Sequence, residues 1–194
     1  MPRKKRDPEG AKRSIIDAAI AELSEKGAAT ATVESVAKRA GCAKGLVLYH
    51  FKTKRDLFEN AGDAIATNRK LQWTEAFRGS KPTEAIDRTW KLLTEESANG
   101  VTLAWSSLLS PIGQISDRAV KELAGGFAKA LGAAGAGVFA SLGAEPRVSE
   151  YELGWLLAST VTGIEAALLS GADPGVVNGA YTAAWLGVLS LARS

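Results

Sequence analysis

Apolar residues recur at helical spacing along most of the chain, and the breaks between these runs carry capping and turn residues. Asp7, Pro8 and Glu9 supply an N-cap, a first-turn proline and a first-turn acid ahead of Ile15, Ile16, Ala19, Ile20 and Leu23; with Gly27 as the stop, they predict a helix over 8–26. Thr32 opens a second, short run that keeps Val33, Val36, Ala37 and Ala40 on one face and closes at Gly41. A third covers 43–51, with Val47 and Phe51 on its core side. The fourth starts at Thr53, whose hydroxyl and Asp56 follow a capping-box pattern; it carries Leu57, Phe58, Ala61, Ile65 and Leu71 and reaches Phe77. Gly79, Ser80, Lys81 and Pro82 form the clearest linker. Beyond it the pattern predicts helices over 83–98, 101–110 (ended by Pro111), 116–141, 148–170 and 174–192. No stretch alternates as a half-buried strand does, so the expectation is an all-α chain of about nine helices without a sheet.

Charge divides the chain at the same linker. Residues 1–80 hold 16 Lys and Arg against 10 Asp and Glu, a net of +6, and residues 81–194 hold 8 against 11, a net of −3. A basic N-terminal part points to a polyanion such as nucleic acid, or equally to a solvated surface behind a basic tail. The expected organisation is a basic disordered tail over 1–9, a helix-turn-helix unit over 10–54, a connecting helix over 55–79 and a helical body over 80–194.

The 46% apolar content of the 194 residues suits a folded protein. One Cys and one His cannot build a thiolate and imidazole metal cluster, so neither metal nor cofactor is expected. The basic start, Arg3 to Arg6, is followed by no apolar stretch of the secretory kind, which gives a cytoplasmic expectation. No phosphate-binding Gly-rich loop, nucleophile elbow or His-Glu-x-x-His motif is present, so an enzyme is not expected.

In a helix-turn-helix the second helix enters the major groove while its neighbours grip phosphates. Lys44 suits a guanine edge, Gly45 allows close backbone approach, and Leu48 suits a thymine methyl. Tyr49, His50 and Lys52 follow as phosphate contacts, joined by Thr32 and by Thr53 and Lys54 at the start of the fourth helix. Lys44 also reads as a solvated lysine, and His50 as a packing histidine.

The run from Gly27 to Gly41, followed by Lys44 to Leu57 with its Tyr49-His50-Phe51 triplet and Lys54-x-x-Leu57, resembles the N-terminal domain of the TetR family of bacterial transcriptional regulators. The resemblance covers roughly residues 10–60. It implies an all-helical homodimer whose head binds a double-stranded DNA operator and whose larger C-terminal domain binds a small apolar effector and dimerises through its last two helices. It also makes Lys44, Gly45, Leu48 and Tyr49 groove-facing, and Thr32, Tyr49, His50 and Lys54 phosphate-facing. Cys42, Ala43, Leu46 and Leu48 stand where members of that family commonly carry Val, Ser, Thr and Tyr, which shifts the expected affinity onto Lys44, Tyr49 and the tail.

Trp90, Trp105, Leu109 and Phe127 suffice to line an apolar effector pocket, with Thr160 and Glu165 as its polar groups, although these aromatics equally suit a core. Glu165, set among Ala and Leu, either pairs with a cation, faces the surface or meets a ligand amine. Residues 153–164 and 174–192 carry no charge. Pro174, Asn178 and Glu165 argue against lipid, and no membrane partner is expected. Small residues recur every four positions, with Gly154, Ala158 and Thr162 on one helix and Gly179, Ala183 and Gly187 on the next, which predicts a homodimer interface. The rival readings are a helical sensor or carrier with a vestigial head, and a membrane-associated helical protein.

Overall fold

The computed structural model describes residues 7–79, 81–110 and 114–193. The basic run at residues 3–6, Ser80 of the linker and Pro111 lie outside the described residues. Among those described, nine helices form in the predicted order: α1 Pro8–Thr30, α2 Val33–Arg39, α3 Lys44–His50, α4 Lys54–Phe77, α5 Pro82–Ala98, α6 Val101–Leu109, α7 Asp117–Ser141, α8 Glu150–Leu169 and α9 Pro174–Leu189.

The caps explain why the boundaries fall where they do. The Asp7 carboxylate accepts from the Gly10 amide, Thr32 and Ser35 form a reciprocal box, and Ser149 and Glu152 form another. Thr53 accepts from the Asp56 amide, while the Asp56 carboxylate turns to the Lys52 amide at 3.0 Å, one residue before the cap. Gly27, at φ 70°, breaks α1 one turn before its end, a backbone shape that glycine adopts without strain. The displaced Ala28 amide then donates to the Ser107 hydroxyl on α6 at 2.9 Å.

In the head, Ile15, Ala19, Leu23, Val36, Val47, Phe51, Leu57 and Phe58 form a core that fixes α1, α2 and α3 against the start of α4. The head is joined to the body twice. Helix α4 runs on to pack against α5 and α7, and α1 lies along α6. At the α5–α6 turn the backbone runs so close to α1 that a β-carbon on Gly100 would lie 2.2 Å from the Ser24 carbonyl oxygen.

Two sequence expectations are corrected. A minimal sheet exists: β1, Glu145–Pro146, pairs antiparallel with β2, Ala192–Arg193, so α9 stops at Leu189 rather than 192. Two residues per strand are too few to show any alternation. Second, Gly154 and Ala158 do not face outward. Both are buried on the side of α8 that crosses α7. A β-carbon on Gly154 would lie 2.3 Å from the Ala128 carbonyl oxygen, and one on Gly132 would lie 2.3 Å from that of Glu150. This close approach joins two helices of the same chain.

Candidate functional site

Helix α3 presents one face to the head core through Val47 and leaves the rest uncovered. Tyr49, at 79% exposure, is the most open large side chain among the described residues, and Leu46 and Leu48 are also exposed. A groove of about 600 Å³ separates α3 from the start of α1, bordered by Asp7, Pro8, Ala11, Gly45, Leu46, Tyr49 and His50. Nothing lies within 4 Å of where a Gly45 β-carbon would be, so α3 is open to another molecule there. The His50 ring is half-buried and meets Tyr49 edge-on, with centroids 5.2 Å apart. Thr32 and Thr53 are exposed at the starts of α2 and α4, each hydroxyl accepting from an amide of its own first turn.

Two lysines are engaged within the chain. Lys44 pairs with Glu34 across α2 and α3 at 2.6 Å, both side chains being exposed. Lys54 does not reach outward as expected: its ammonium donates to the Ala28 carbonyl at 3.1 Å and lies 5.0 Å from the Phe58 ring centre. Burial pushes its pKa down. The phosphate-binding part of that expectation therefore rests on the first-turn amides of α4. Neither partner was readable from sequence, since they lie 10 and 26 residues away.

Helices α1 and α2 are clamped behind this surface by Glu22, which accepts from Lys26 at 2.9 Å and from Arg39 at 2.8 Å. These donors, Lys26 foremost, together with Ser35, hold its carboxyl down at about 2.

In the body, Trp105, Phe127 and Glu165 converge as expected, but around a residue that the pattern did not single out. Arg69 of α4 is fully buried. Its Nε and Nη2 both donate to Glu96 of α5, and Nη2 also donates to Glu165 of α8 at 2.6 Å. The guanidinium carbon lies 4.6 Å from the Phe127 ring centre, 5.0 Å from that of Trp105 and 5.9 Å from that of Trp73. Trp73 donates its indole N–H to Glu96 at 3.2 Å. Of the three readings left open for Glu165, the structure has it pairing with a cation. Burial raises its carboxyl to about 7 in spite of Arg69 beside it, with the Glu96 charge adding to the rise. The third guanidinium nitrogen, Nη1, is buried without a hydrogen-bond acceptor.

The other expected pocket residues lie around this cluster or apart from it. Thr160 donates to the Leu156 carbonyl and borders a slit, closed to about 10 Å³, together with Trp73, Phe77, Val161, Tyr181 and Trp185. Trp90 stacks on Tyr181 at 5.7 Å, and the Tyr181 hydroxyl donates to Thr89. Leu109 is half-buried against the core. The remaining interface positions, Thr162 on α8 and Gly179, Ala183 and Gly187 on α9, are exposed. They lie on helices that also leave Trp155, Leu156, Val176 and Leu186 uncovered. By length and composition α7 and α8 could each cross a membrane, yet both bury residues against one another along their crossing.

Residues 15–61, which contain α2, α3 and most of the head core, match the family model of the bacterial regulatory proteins of the tetR family. The head belongs to the TetR family. HTH-type transcriptional regulator AcrR of Shigella flexneri is 32% identical over 83 residues, 41% of this chain and 39% of that protein. HTH-type transcriptional regulator BetI 1 of Chromohalobacter salexigens is 35% identical over 75 residues, 34% of this chain and 37% of that protein. The chain thus matches less than two fifths of the length of either relative. Solved structures extend the likeness of fold to the body. A TetR family transcription regulator from Marinobacter aquaeolei VT8 superposes with a TM-score of 0.67 at 17% identity, covering 96% of this chain and 97% of that one. The multidrug binding protein EbrR, complexed with imidazole, gives a TM-score of 0.64 at 24% identity, covering 95% and 96%. At these identities the TetR-like body is a likeness of fold.

Proposed function

We propose that the protein is a homodimeric, effector-responsive transcriptional repressor of the cytoplasm, a regulator rather than an enzyme. It binds a pseudo-palindromic duplex operator through α3 and is released from it by a small molecule held in the body. The observation that carries the reading is the open face of α3 on a TetR-family head, with Tyr49 exposed beside the unobstructed backbone of Gly45. Thr32, Tyr49, His50, Lys52 and the first-turn amides at Thr53 and Lys54 are assigned to phosphates. Leu48 is assigned to a groove edge, as is Lys44 once it exchanges Glu34 for a base. The exposed faces of α8 and α9 form the dimer contact, which places two α3 helices one duplex turn, about 34–36 Å, or more apart.

An effector switches such a dimer only by preferring the non-binding arrangement. Moving a 1:99 balance to 99:1 takes roughly 5.5 kcal/mol of differential affinity. The EbrR likeness is consistent with a ligand in this body.

The test is duplex binding as a function of salt, using DNA taken from upstream of the coding region. Binding should weaken steeply as salt rises. Lys52→Ala should lower the log–log slope by about one unit, and Tyr49→Ala should cost about 1–2 kcal/mol. Retention of no such fragment, or slopes that these substitutions leave unchanged, would overturn the reading.

A further inference from the structure

We propose that Glu165 is the recognition carboxylate of a subsite for an organic cation with an apolar body, and that this cation takes Glu165 over from Arg69. The proposal rests on the reading of the C-terminal helices as an effector-binding body, and names the class of effector.

The first support is a charge count. Two carboxylates, Glu96 from α5 and Glu165 from α8, face a single guanidinium, Arg69 from α4. All three side chains are almost completely buried, with the rings of Trp105 from α6 and Phe127 from α7 against the guanidinium. One negative charge is therefore left over in a site screened from water, where an uncompensated charge is expensive. The second support is that Arg69 Nη1, fully buried, lacks an acceptor, so protein groups alone do not complete the cluster.

The two carboxylates are unequally held. Arg69 grips Glu96 through both Nε and Nη2, but reaches Glu165 through one nitrogen that is shared with Glu96. Glu165 is thus the partner that a competitor can capture. A cation there gives two cations against two carboxylates, with Arg69 and Glu96 remaining a pair. An anion would add a second uncompensated charge, and a neutral molecule would leave the first in place.

The slit gives the apolar body a place. Val161 borders it one helical turn before Glu165 on the same face of α8, and Trp73 belongs both to the slit and to the cluster. Opening the slit leads from Trp73, Phe77 and Trp185 to the Glu165 carboxyl.

The elevated Glu165 carboxyl, at about 7, adds a signature. Near neutral pH the site is partly protonated, so an arriving cation expels a proton. Affinity then rises by about tenfold per pH unit below about 7 and levels off above it. Capture of Glu165 also removes the bond from α4, which continues from the head, to α8.

The experiment titrates the full chain, without DNA, with benzamidinium and benzyltrimethylammonium and follows tryptophan emission. Benzamide, benzyl alcohol and benzoate serve as neutral and anionic controls. Expected are saturable quenching by at least one of the cations, binding of the controls weaker by at least about tenfold, and the stated pH profile. Glu165→Gln keeps the volume and the Arg69–Glu96 pair while removing the surplus charge. It should fold, weaken the cation by at least about tenfold and flatten the profile. Neutral probes binding as well as the cations, unchanged cation affinity in Glu165→Gln, or no saturable quenching by either cation overturns the proposal. Since DNA is absent, such a failure leaves operator binding untouched, and a failure to retain DNA leaves this result standing.

Discussion

Glu165 and Arg69 illustrate how one misplaced-looking side chain implies another. A carboxylate among Ala and Leu reads in the sequence as an anomaly, and the structure answers it with a guanidinium 2.6 Å away. Arg69 itself was not legible, because it precedes Lys70 in a polar stretch and reads as surface. The available signal was its register: Ile65, Ala66, Arg69 and Trp73 are all buried on one face of α4. Glu96 repeats this on α5, three residues after the buried Leu93. The energetic consequence has a definite sign. A carboxyl raised from 4.5 to about 7 keeps its proton longer folded than unfolded, so its effect on stability is fully favourable below 4.5 and is lost as pH rises to about 7. Thermal melts should therefore show the native chain losing stability between about pH 4.5 and 7 relative to Glu165→Gln, by at most a few kcal/mol. A difference between the two proteins that does not vary with pH would refute this.

Among the elements, helix boundaries were readable because nearly all of them are set by local side-chain chemistry, with Asp7, Thr32, Thr53 and Ser149 each capping as their positions suggest. Direction of packing was not. Spacing of Gly154 and Ala158 announces that a backbone comes close, but not which one, and the complementary mark, Gly132, sits in an Ala-rich stretch where glycine is common. The two-residue strands near Glu145 and Ala192 leave no periodic trace at all. Replacing Gly154 by Val should push α8 off the Ala128 carbonyl and lower stability by about 1–3 kcal/mol. Gly125→Ala, on α7 with nothing within 4 Å of the new β-carbon, should instead raise it by about 0.5–1 kcal/mol. Denaturant unfolding of the two variants checks both, and equal effects would show that the crossing is not tight.

Over the whole molecule, the uncovered apolar side chains on α8 and α9 ask for a second copy. Leu186 is 62% exposed on α9, next to the uncovered Ala183 and Gly187. Leu186→Glu should yield monomers by light scattering while leaving the helical content unchanged; dimers that persist would move the interface elsewhere. The chain's charge division is resolved by the same view, with the basic half at the face of α3 and the uncharged helices at the opposite task of association.

The attachment of α1 to α6 has a mechanical meaning as well. A head carried by α4 alone would be a ball on a stalk, able to tilt in any direction. Held also where Ala28 meets Ser107 and where the backbone at Gly100 presses on Ser24, it has two supports, and two supports define an axis. Its motion relative to the body is then a swing in one plane. In a symmetric pair, two such swings change the distance between the heads together, in a single coordinate, so that a signal from the body arrives as a length.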